Sequence, residues 1–116
     1  MHQYLLLLHE TPASYADLSA DQMQEIVQRY RAWAGEMAQR GHLMGGEKLM
    51  DDGGRNLRLV NGQPLATDGP YAEALDIIGG TFMLKADSDA EAEALAATCP
   101  HLHGSNWIEI RRIDPM

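Results

Sequence analysis

The sequence is short of what most specialised functions require. A single cysteine, Cys99, excludes an intramolecular disulfide, so the scaffold must hold by packing, and cytoplasmic residence is the expectation. Basic residues are scarce: 9 Lys and Arg stand against 17 Asp and Glu, a formal net charge of −8. Such a surface repels phosphate backbones and anionic lipid, and no basic run offers a local exception, so neither nucleic acid nor membrane is an expected partner. Long apolar runs are missing too. Leu5 to Leu8, after Tyr4, falls far short of the roughly 20 residues that span a bilayer, and it has neither the basic leader nor the cleavage site of a signal peptide. The Gly-Gly pairs lack the spacing of a phosphate loop, and Asp51-Asp52 lacks that of a calcium loop. What remains is 116 residues with 45% hydrophobic content, room for one globular domain over residues 1–116. A core this small gains from pairing with a second copy, so a homodimer is expected.

The chain reads as alternating strands and helices. Gln3 to Leu8 is a nearly unbroken apolar run, the pattern of a central strand covered on both faces. Ser19 and Gln22 form a capping box, with Leu18 and Met23 placed for a hydrophobic staple. Met23, Ile26, Val27, Tyr30, Trp33, Ala34 and Met37 then follow at helical spacing to about Arg40, and Gly41 supplies a left-handed cap. His42 to Met50 is a second strand weakened by Gly45-Gly46, where a bulge or close approach is expected. Leu57 to Val60 and Gln63 to Thr67, joined by Asn61-Gly62, make a hairpin with a type I′ turn. Asp68-Gly69-Pro70 is turn chemistry, followed by a short helical turn through Leu75. Gly79-Gly80 opens a third main strand. Ser88 and Glu91 suggest a second capping box on an Ala-rich helix that ends before Pro100, and Asn106 to Ile113 is the last strand.

With the hairpin treated as an insertion, the order is strand–helix–strand–strand–helix–strand. Right-handed crossovers place such a chain in the α+β class, as a ferredoxin-like βαββαβ fold. It has a four-stranded antiparallel sheet in the order 4-1-3-2 and both helices on one face. The other face is left bare for a second subunit. The topology brings the end of strand one (His9, Glu10) beside the start of strand three (Gly79, Gly80). His101, His103, Asp68 and Glu73 are expected along the same rim.

Asp68-Gly69-Pro70-Tyr71-Ala72-Glu73 is similar to the D-G-P-F-A-E signature of the YCII-related (DGPF-motif) family, with Tyr71 in the place of Phe. Tyr4 to Leu7, the glycines and leucines from Gly41 to Leu49, and Gly79-Gly80 extend the resemblance over nearly the whole chain. It implies a ferredoxin-like fold, dimerisation through the sheet faces into a dimeric α/β-barrel-type assembly, and a place for small molecules between helix and sheet. Some members of the family use a His–Asp pair, with the His on the first helix about eleven residues before its terminal Gly. Counting back from Gly41 reaches Tyr30, so that pair does not carry over.

The candidate catalytic residues are Asp68, as a general acid or base at the cleft mouth, with His9 or Tyr30 as helper. Gly69, Pro70, Tyr71 and Glu73 are the candidate ligand-binding residues around it. Asp68 equally serves as the Asx-turn residue that builds the loop, and Glu73 as a first-turn helix carboxylate. His101-x-His103 with His9 and Glu10 invites a metal reading, but the spacing is not that of a strong metal motif, and no metal or organic cofactor is expected. Tyr30, Trp33 and Met37 read first as core, with the Tyr30 hydroxyl able to reach the cleft. Cys99 reads as an inert thiol. The leading expectation is a small-molecule-binding enzyme or enzyme-like protein performing cofactor-free proton transfer, of the isomerase or lyase type. The alternative is a non-catalytic accessory or regulatory module, a direction the family resemblance gives through its link with sigma-factor-type regulators.

Overall fold

The computed structural model describes residues 1–11, 15, 17–69 and 76–116. In chain order the elements are β1 (His2–Glu10), α1 (Ala20–Gln39), β2 (Leu43–Lys48), β3 (Arg55–Val60), β4 (Gln63–Asp68), β5 (Ile77–Ala86), α2 (Asp89–Ala96) and β6 (Trp107–Arg112). The class is α+β. Four strands form one antiparallel sheet in the order β2-β5-β1-β6, while β3 and β4 pair only with each other in a separate two-stranded sheet. With that hairpin left out of the count, the last strand lies beside the first, then the third, then the second.

The apolar run of β1 lands at the centre of the sheet because only there are both strand edges paired and both faces available. Its alternation sorts the leucines. Tyr4, Leu6 and Leu8 join Leu84 and Ala86 of β5 in the buried cluster, against Trp33 and Met37 of α1 and Ala92, Leu95 and Ala96 of α2. Both helices therefore cover one face. Burial of each large aliphatic chain there contributes roughly 1.5–3 kcal/mol. Leu5, Leu7 and Met83 point the other way, together with Trp107 and Glu109 across the β1–β6 ladder.

Local chemistry sets the helix ends. Ser19 Oγ accepts from the Gln22 N–H while the Gln22 side chain accepts from the Ser19 N–H, a complete capping box. At the other end Gly41 takes φ +79°, and the N–H groups of Gly41 and His42 donate to Ala38 O and Met37 O, the paired bonds of a Schellman motif. The second box is only half formed. Ser88 caps the Glu91 N–H, but the Glu91 carboxylate accepts from Asp87 rather than from Ser88. Asn61 and Gly62 both have positive φ, as the type I′ turn requires. The helical turn expected through Leu75 lies outside the described residues.

Two anchors fix the helices on the sheet. The Tyr4 hydroxyl donates to Asp89 Oδ1 at 2.7 Å in the first turn of α2, and Trp33 Nε1 donates to Thr98 Oγ1 at 2.8 Å beyond its end. Trp33 also meets the Phe82 ring edge-on at 5.0 Å. The first ties α2 to β1, and the second ties the C-terminal half of α1 to the end of α2. Among the described residues the N-terminal half of α1 has no such contact.

Candidate functional site

That imbalance opens a cavity of about 580 Å³ between α1 and the sheet. Met23, Ile26, Val27 and Tyr30 of α1 form its roof, and Leu8, Phe82 and the glycine backbone of Gly46, Gly79 and Gly80 form its floor. Side chains on those glycines would fill the space. A β-carbon on Gly46 would sit 2.5 Å from the Phe82 ring, and one on Gly79 would coincide with the Glu10 carboxylate. Close approach, not a turn, is what these glycines supply. The amphipathic stripe of α1 thus serves two purposes. Trp33 and Met37 are core, as helical spacing suggests, while Met23, Ile26 and Val27 line a hollow.

The alternation of β1 carries through to its end, and the register shift after Leu8 falls on β5, where Gly79 has no partner on β1. Glu10 turns into the cavity and His9 turns to the opposite face of the sheet. Around Glu10 gather Tyr15, Tyr30 and His101, while the exposed side chains of Arg31, Glu47, Lys48 and Asp51 stand at the rim. Lys48 is already tied to Asp51 at 2.8 Å.

The protons at the inner end can be assigned by elimination. His101, only 2% exposed, faces the His9 carbonyl through Nε2 at 2.7 Å. A carbonyl only accepts, so Nε2 carries the hydrogen. Burial holds the ring below its ordinary value, against the opposing pull of the His9 carbonyl and Glu10, and favours the neutral form. Nδ1 is then a lone pair, and the Tyr30 hydroxyl donates to it at 2.7 Å. Burial drives the Tyr30 phenol well above its usual range, with the neighbouring Tyr15 adding to the shift. Tyr30 stays protonated and cannot act as a base near neutrality. Burial likewise raises Tyr15, whose oxygen accepts from Asn106 Nδ2 at 2.8 Å.

His9 occupies a different environment. Its Nδ1 meets Asp76 at 2.9 Å and its Nε2 meets Glu109 at 3.0 Å, while the ring stacks on Trp107 at 3.8 Å. Trp107 Nε1 in turn donates to Asp76 at 3.0 Å. Carboxylates only accept, so both bonds are made when the ring carries both protons. His9 and His101 meet only through the His9 carbonyl, their rings on opposite sides of the sheet. His103 contacts Tyr15 edge-on and Asn106 instead. Among the described residues no three His, Cys, Asp or Glu side chains converge to hold a metal ion.

Asp68 ends β4 with its side chain 87% exposed and ion-paired to Arg55 across the hairpin. Neither it nor His9 lines the cavity, whereas Tyr30 does. Gly69 closes the hairpin base, its N–H donating to Gly54 O at 2.9 Å. Pro70, Tyr71 and Glu73 lie outside the described residues. Cys99 is 3% exposed, and burial pushes its thiol up to about 11, consistent with an inert role. The residues that sequence reasoning passed over are Tyr15, in a loop without periodicity, and the Asp76–Trp107–Glu109 set around His9. The near contact of Glu10 with Gly79 did leave a signal, since paired glycines at a strand entrance imply something pressed against them.

An antiparallel four-stranded sheet with two helices on one face and a pocket beneath the first helix defines the class. The chain matches the YCII-related domain over residues 2–116 and belongs to that family. A search of curated proteins finds no match.

Proposed function

We propose that this YCII-related protein binds a small molecule beneath α1, and that cofactor-free proton transfer is the chemistry its side chains support best. The cavity carries the reading. Its volume of about 580 Å³ lies within the roughly 300–1,000 Å³ typical of ligand pockets, and its walls are mostly apolar with a few polar groups gathered at one end. Glu10 is the group there able to take up a proton, and Tyr15, Tyr30 and His101 enclose it. In this reading Asp68 and Arg55 brace the hairpin base, and the centre of the site is Glu10 with Tyr30. A cavity-blocking variant provides the test. Val27→Trp places a large ring at the partly exposed roof without touching the packed half of α1, so it should abolish binding of small aromatic probes while leaving thermal stability nearly unchanged. Equal binding by this variant and the wild type rules the cavity out.

A homodimer accompanies this reading. Leu5, Leu7, Met83 and Trp107 share the uncovered face of the sheet, a surface that a second copy could bury. The projecting hairpin, with Leu57 71% and Leu59 73% exposed, supports the alternative of an accessory module that contacts other proteins. Leu7→Lys should shift the particle mass from dimer to monomer in light scattering if the sheet face is the interface.

A further inference from the structure

Resting on the reading of the cavity as a ligand site, we infer that the ligand enters with a cationic, hydrogen-donating head, a protonated amine on a small apolar body, seated against Glu10. The argument is an accounting of hydrogens at the inner end. His101 spends its only N–H on the His9 carbonyl, and Tyr30 spends its O–H on His101. Tyr15 receives a hydrogen from Asn106. His101 and Tyr30 therefore have no hydrogen left to offer. What Glu10 and Tyr30 offer to the cavity is lone pairs, which accept hydrogen bonds without returning any.

Charge points the same way. Among the described residues Glu10 has no ion-pair partner: Lys48 at the rim is bound to Asp51, and Arg31, the other cation lining the cavity, is exposed on α1. An anionic head would meet an uncompensated carboxylate in a partly desolvated site, where repulsion is strong. A neutral hydroxyl would satisfy one lone pair. An ammonium satisfies up to three and neutralises the charge, in a cavity whose lining includes the rings of Tyr15, Tyr30 and Phe82. The net charge of −8 also draws cations towards the protein. Gly79 has its place in this account, because without a side chain there the Glu10 carboxylate lies against the strand and leaves the space in front of it free.

Three probes of nearly equal shape separate the possibilities: phenethylamine, 2-phenylethanol and 3-phenylpropionate, titrated by calorimetry at neutral pH and millimolar concentration. The amine should bind at least about tenfold more tightly than either of the others, as expected for a charge-assisted hydrogen bond. Glu10→Gln, which keeps the shape and removes the charge, should erase that preference while changing affinity for the alcohol by no more than about threefold. Val27→Trp should abolish binding of the amine. If the acid binds best, or the amine preference survives in Glu10→Gln, the inference is overturned although the cavity remains a binding site. If none of the three binds, the cavity reading falls and the inference falls with it. The ranking on the wild-type protein stands alone should Glu10→Gln fold poorly.

Discussion

Replacing Tyr30 with Phe removes one oxygen and leaves the ring in place against the core. The wild-type hydroxyl donates at 2.7 Å to Nδ1 of a histidine that is 2% exposed, so the change strands a buried lone pair. Losing such a bond costs about 1–2 kcal/mol, towards the lower figure if a water enters from the cavity and replaces the donor. In a domain of this size that amounts to a fall in Tm of roughly 4–8 °C per kcal/mol. A double-mutant cycle isolates the bond. On a His101→Leu background the His9 carbonyl has already lost its donor and Tyr30 has no nitrogen to face, so Tyr30→Phe should cost less by about 1 kcal/mol. Urea unfolding of the four proteins at pH 7.5 supplies the numbers. If the two substitutions add to within about 0.3 kcal/mol, Tyr30 and His101 are not bonded in solution and the assignment of protons at the inner end collapses. A second readout comes from pH. Burial holds His101 below its ordinary value of 6.5, so the unfolded chain takes up this proton first. Its stabilising contribution is complete above about pH 6.5 and declines as the pH falls through the lower folded value. His101→Leu should flatten that part of the stability profile.

Other positions test other parts of the argument. Gly79→Ala places a methyl group where the Glu10 carboxylate lies, so it should destabilise the protein by about 1–3 kcal/mol and weaken amine binding more than alcohol binding. Glu109 is held below its ordinary value of 4.5, first by its hydrogen bond to His9 and then by Arg111. The stabilisation is present above pH 4.5 and lost as the pH falls through the folded value, so the wild type and Glu109→Gln should converge in Tm on acidification to pH 3. A gap that stays constant would remove His9 as the cause. Asp68→Asn should cost less than about 1 kcal/mol, because its ion pair with Arg55 is solvent-exposed, and should leave probe affinity unchanged. Loss of binding in that variant would return the centre of the site to Asp68.

Much of the fold follows from the sequence because its signals are local. The Ser19–Gln22 box, the Gly41 cap and the Asn61-Gly62 turn depend on residues within a few positions of one another, and each takes the geometry that its chemistry dictates. The unbroken apolar run of β1 specifies a central strand for the same reason, since no edge position would bury it. Family membership was also legible, read from Asp68-Gly69-Pro70-Tyr71-Ala72-Glu73 and the glycine pairs.

The site was a matter for the tertiary structure. His9 and Glu10, adjacent in β1, point to opposite faces of the sheet, so two residues expected on one rim serve two unrelated clusters. Helical spacing placed Met23 and Met37 on one stripe without revealing that the first roofs a hollow and the second fills the core. That difference depends on where α1 is anchored and on which glycines lie beneath it, facts separated by some fifty residues in the chain. Periodicity says which face of an element turns inward. Only the packed molecule decides whether anything is there to meet it.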